Sequence, residues 1–78
     1  MAKIQRPSPC FLDGMDDLGF INGSRLWRSP CGRRLYCWDS LHGEIEVYNK
    51  RGKHIGVVHA VTGGWVKDAV KGRRIDVS

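Results

Sequence analysis

The stretch Gly43-Glu44-Ile45-Glu46-Val47-Tyr48-Asn49-Lys50-Arg51-Gly52-Lys53-His54-Ile55-Gly56-Val57-Val58-His59 decides the fold. Its first part alternates. Ile45 and Val47 project to one side and Glu44, Glu46 and Tyr48 to the other, the period-two pattern of a half-buried strand. Asn49-Lys50-Arg51-Gly52 is a turn signal with glycine at its end, so residues 53–59 return as the second arm of a hairpin. Upstream, residues 33–39 read as a preceding strand. Downstream, Thr62-Gly63-Gly64 turns the chain into Trp65-Val66-Lys67, and Lys71-Gly72 leads to a last strand at 73–77. Short strands joined by tight turns make an antiparallel meander of four or five strands. Residues 1–24 differ. Pro7, Pro9, Gly14, Gly19 and Gly23 interrupt them, and the one helix-like piece runs from Phe11 to Leu18, with Asp13 as its cap and Asp16 and Asp17 on an acidic face.

A chain of 78 residues has room for one small domain with a limited core. Thirteen lysines and arginines against eight acids give a net charge of +5, which points to a polyanionic partner, nucleic acid or an acidic protein. Cys10, Cys31 and Cys37 form no CxxC pair, so they fit neither a structural zinc site nor a disulfide framework and read as free thiols, with Cys37 in a strand. No apolar run approaches the length of a membrane span, and the expectation is a soluble chain without a membrane partner. No hydrophobic stretch follows Lys3 and Arg6, so no secretory signal is read.

The charge is unevenly spread. Tyr36 to Tyr48 holds Asp39, Glu44, Glu46 and His42 and no lysine or arginine, while Arg25, Arg28, Arg33 and Arg34 precede it and Lys50, Arg51 and Lys53 follow. An acid–histidine island in a cationic surface suits cleavage of RNA without metal. That reaction needs a base for the 2′-hydroxyl proton, an acid for the departing 5′-oxygen and a cation for the charge on phosphorus. Each positioned acid or base contributes roughly 10²–10⁴ in rate, and the cation adds an electrostatic share. Asp39 lies three residues before His42, close enough to hold one imidazole tautomer and favour its charged form. Asp39, His42 and Glu46 are also reasonable metal ligands, a reading ranked lower because basic residues already supply positive charge. Trp38 reads as core. His54 and His59, with no carboxylate at motif spacing, read as ordinary strand or surface residues.

The run Tyr36-x-Trp38-Asp39-Ser40-x-His42-Gly43-Glu44-x-Glu46-x-Tyr48 closely resembles the cytotoxic ribonuclease domain of the ribosome-inactivating colicins. Trp27, Gly32 and Arg33 before it, and Gly52, His54, Gly56, Thr62-Gly63, Lys67 and Arg73-x-Ile75 after it, continue the resemblance over roughly residues 25–78. The chain departs from the family at His59-Ala60, where Asp-Pro is usual, and at Ala69-Val70-Lys71-Gly72, where the family has a proline-containing loop. It also has one residue fewer in the turn after Tyr48.

The resemblance implies an α+β, mainly β fold: a highly twisted antiparallel sheet of about five strands with a short N-terminal helix. Residues 1–24 are then a linker carrying the helix, and 25–78 the ribonuclease domain. It implies an endoribonuclease that cuts small-subunit (16S) ribosomal RNA at the decoding site by metal-independent acid–base catalysis, with no cofactor, and so halts translation. Carried over, the catalytic set is Asp39, His42, Glu46 and Arg73, with Glu46 the general base, His42 the acid, Asp39 its support and Arg73 the cation. Which of His42 and Glu46 is the base stays open. So does the choice of Arg73 or Arg74, because strand parity puts Arg73 on a face with Ile75 and Val77. Tyr48, Lys67, Arg33, Arg34 and Arg74 are candidate RNA-binding residues. The implied partners are the small ribosomal subunit and an acidic immunity protein, the protein itself being a monomer. Its site of action is the cytoplasm of a target cell, reached by release or with other toxin domains. The alternatives are a non-catalytic RNA- or ribosome-binding module derived from such a toxin, and a metal-dependent nuclease.

Overall fold

A computed structural model describes residues 4–21 and 24–75. They form one antiparallel sheet in strict chain order: β1 (Asp16–Ile21), β2 (Ser24–Arg28), β3 (Arg34–Asp39), β4 (Glu44–Asn49), β5 (His54–Val58) and β6 (Trp65–Asp68). The β4–β5 hairpin turns where the sequence puts it. Asn49 Oδ1 accepts the N–H groups of Arg51 and Lys53, and Gly52 supplies the left-handed residue at φ 89°. A glycine adopts that conformation without the steric cost a Cβ carries.

Directly paired residues of a sheet share a face, and the register defines two faces. One carries Trp27, Tyr36, Val47 and Gly56 in a row, with Trp38, Ile45 and Val58 beside them. This is the core face, and the N-terminal segment lies over it through Cys10, Phe11, Leu12 and Met15. Ile45 and Val47 are fully buried, each stabilising the fold by roughly 1.5–3 kcal/mol. The other face carries Leu26, Cys37 and Glu46 in one row, with Leu35 paired to Tyr48 and Asp39 to Glu44.

Three expectations are corrected. The helix at Phe11–Leu18 is absent. Two successive turns, Asp13 N–H to Cys10 O and Met15 N–H to Leu12 O, give way directly to β1. Gly14 at φ 86° breaks the helical run, Asp13 accepts the N–H of Cys10, and Asp16 and Asp17 face Arg28 and Arg25 across β2 rather than lying on a helix. Residues 4–21, expected as linker, belong to the folded unit, because Cys10 and Leu12 fill the core and β1 is an edge strand. Of the last strand expected at 73–77, the described residues 73–75 make one isolated bridge, Lys53 with Arg74, and residues 76 and 77 lie outside the described part.

Candidate active site

Asp39 ends β3 and shapes the turn that follows. Its Oδ1 accepts the N–H groups of Leu41 and His42, and its Oδ2 meets His42 Nδ1 at 2.7 Å. One carboxylate therefore builds the turn and aims the imidazole, leaving His42 Nε2 toward solvent on an exposed ring. Burial pushes the Asp39 carboxyl up, but the His42 ring and the two backbone donors outweigh it, and the group sits below the usual carboxylate value.

Glu46, in mid-β4, is held from two sides. Oε1 accepts Arg73 Nη1 at 2.9 Å, and Oε2 meets His54 Nε2 at 2.5 Å. His54 is buried, and its Nδ1 accepts the Val70 N–H at 2.9 Å. That acceptor role places the ring proton on Nε2, pointing at Glu46. Arg73 arrives from the loop after β6, which is pinned over the hairpin by His54 N–H to Arg73 O and Ile75 N–H to Gly52 O. Arg73 thus reaches Glu46 from a loop rather than a strand, and the parity that would turn it away does not apply. Arg74 is exposed and meets Lys53 through the backbone.

His54 is the site residue that sequence reasoning missed, and the reason is a bulge. Tyr48 pairs with His54 but Val47 pairs with Gly56, so Ile55 is an extra residue in β5. Unbroken alternation from Val57 would put His54 on the core face. The bulge instead sends Ile55 to the core and His54 beside Glu46. A histidine just after a tight hairpin turn, two residues before a strand glycine, is the signal that was available.

Tyr48 packs edge-on against His54 at 5.3 Å and is buried. Burial first, then the negative charge of Glu46, raises its phenol to about 12. All three cysteines are free, and burial, followed by Glu46 and Asp39, raises the Cys37 thiol and favours its protonated form. Lys67 on β6 pairs with Glu44 at 3.0 Å on the same face. Both ends of that pair keep solvent access, so it contributes about 1 kcal/mol or less. Arg33 is exposed at the entry to β3. Arg34 lies on the opposite face, its guanidinium 5.3 Å from the Trp65 ring.

Residues 21–76 match the model of the protein family described as Cytotoxic. This chain belongs to the Cytotoxic family. Two curated relatives, both from Escherichia coli, agree. Colicin E3 is 41% identical over 44 residues, 55% of this chain and 8% of that protein, and Colicin-E6 is 43% identical over 42 residues, 53% and 8% respectively. The chain matches less than a tenth of the length of either relative. The Cytotoxic match takes in β2 to β6 and the loop carrying Arg73, so every residue of the Asp39–His42 and His54–Glu46–Arg73 groups falls inside it.

Proposed function

We propose that this Cytotoxic domain is a metal-independent endoribonuclease that cleaves small-subunit ribosomal RNA at the decoding site and stops translation. The observation that carries the reading is Glu46, clamped between His54 and Arg73, on the same sheet face as the Asp39–His42 pair in a chain of net charge +5. Glu46 keeps a lone pair on each oxygen beyond those engaged and takes the 2′-hydroxyl proton. The 2′-oxygen attacks phosphorus, and the bond to the 5′-oxygen breaks. His42, aimed by Asp39, delivers the proton to that leaving oxygen, and the products are a 2′,3′-cyclic phosphate and a 5′-hydroxyl. Arg73 stabilises the extra negative charge on the phosphorane. Its contact with Glu46 also keeps the base oriented between turnovers.

The domain acts in the cytoplasm of a target cell, on the ribosome, and an acidic immunity protein neutralises its basic surface in the producer. Incubating ribosomes with the protein in excess EDTA yields one discrete small-subunit RNA fragment with a cyclic phosphate end. Glu46→Ala and His42→Ala each lower the rate by roughly 10²–10⁴. Cleavage abolished by EDTA and restored by a divalent ion would select the metal-dependent reading. Intact RNA with retained ribosome binding would select the binding module.

A further inference from the structure

The site face does not end at Glu46. Following its rows across β3 to β2 leads from Glu46 through Cys37 to Leu26, and from Tyr48 through Leu35 to Arg28. There a cleft of about 340 Å³ opens, lined by Leu18, Ile21, Leu26, Arg28, Gly32, Leu35 and Lys50. Its floor is apolar: Leu26 and Leu35 are buried although they lie on the face that carries the acids. Its rim holds two cations, Arg28, which leans on Asp16 at 3.7 Å, and Lys50. Lys50 also lines a second cleft of about 380 Å³ with Arg33, Asn49 and Arg51. Among the described residues no ion pair joins Arg33, Lys50 or Arg51 to an acid.

An apolar slot sharing one lysine with a basin of three cations has the chemistry of a nucleotide: a flat base beside a phosphate. Aliphatic side chains hold a base by burying its apolar face, without sequence readout, and cations hold the backbone. Its position suits a strand running into the site. β3 and β2 lie one and two strand spacings, roughly 5 and 10 Å, from β4, the reach of about one or two nucleotides. We propose that this double cleft is a subsite for a single-stranded RNA nucleotide next to the one that is cut, with its base between Leu18, Ile21 and Leu35 and its phosphate on Lys50, Arg33 and Arg51. The subsite rests on the ribonuclease reading for its place in catalysis, but its occupancy can be measured without cleavage.

The probe is a short 2′-O-methyl oligoribonucleotide, which lacks the nucleophilic hydroxyl, titrated into the isotope-labelled protein and followed by backbone amide resonances. The subsite predicts shifts at Leu26, Gly32, Leu35 and Lys50, and weaker or absent shifts there with an abasic strand of equal length. Leu18→Asp, which removes apolar contact and sets a carboxylate against the polyanion, lowers affinity for the oligonucleotide at least about fivefold. Leu18→Met preserves it, and matching circular dichroism shows that both variants fold. Equal binding of the abasic strand, or shifts confined to β4–β6, overturns the proposal. If the slot resonances respond while the parent protein leaves ribosomal RNA intact, the subsite stands and the ribonuclease reading falls.

Discussion

At the residue scale, Glu46 is shaped by what holds it. A carboxylate with an arginine on one oxygen and a buried histidine on the other has little rotational freedom, and each partner bears on a different part of the chain. His54 does more than fill space, since its second nitrogen fixes Val70 and with it the loop that delivers Arg73. His54→Ala therefore strands a half-buried carboxylate oxygen and the Val70 backbone N–H. The expected loss is about 2–3 kcal/mol in denaturant titration, accompanied, on the function proposed above, by loss of RNA cleavage even where the variant is fully folded. Tyr48 gives a pH signature. Its phenol is raised from 10.0 in the unfolded chain to about 12, so the folded state holds the proton more tightly. That contribution is complete below pH 10 and lost as pH rises toward 12. Stability measured across that window should fall in the parent and fall less in Tyr48→Phe, with tyrosinate absorbance tracking the change.

At the element scale, the bulge in β5 and the glycine inside it set the site. Gly56 lies under Trp65. A Cβ there would stand 2.5 Å from the Trp65 ring and 2.9 Å from the Lys67 carbonyl, and φ is +155°. Gly56→Ala should push β6 away from β5 at a cost of roughly 1–3 kcal/mol, visible as a lower melting temperature and a red-shifted tryptophan emission. Lys67 and Glu44 should uncouple with it. The β4–β5 hairpin was legible because strict alternation over Glu44–Tyr48 and a glycine-bearing turn leave one register. β1 and β2 were not, because Pro7, Pro9 and the run of glycines resemble linker composition. They become strands only through partners: Asp17 reaches Arg25, and Leu26 is buried by neighbours remote in sequence. The expected helix failed for the same reason, its acids answering arginines on β2.

At the scale of the whole molecule, one sheet separates two jobs. The core face is covered by the N-terminal segment, and the opposite face carries Asp39, Glu44 and Glu46 with His42 and His54, and the cations Arg33, Lys50 and Arg51. If that face neutralises about four phosphates, binding of single-stranded RNA should weaken with salt at a log–log slope near −3, roughly 0.7 per phosphate. Titrations at several ionic strengths read that slope directly, and Arg34→Ala should leave it nearly unchanged, because Arg34 lies over Trp65 on the other face. The sequence by itself determined the hairpin, the Asp39–His42 spacing, the cationic balance and the membership of the Cytotoxic family. Those depend on local periodicity and on short contacts along the chain. Only the tertiary structure decided that Arg73 rather than Arg74 meets Glu46, and that His54 joins them. Both outcomes depend on a bulge that reverses strand parity and on a loop folded back over the hairpin, and neither can be read from residues a few positions apart.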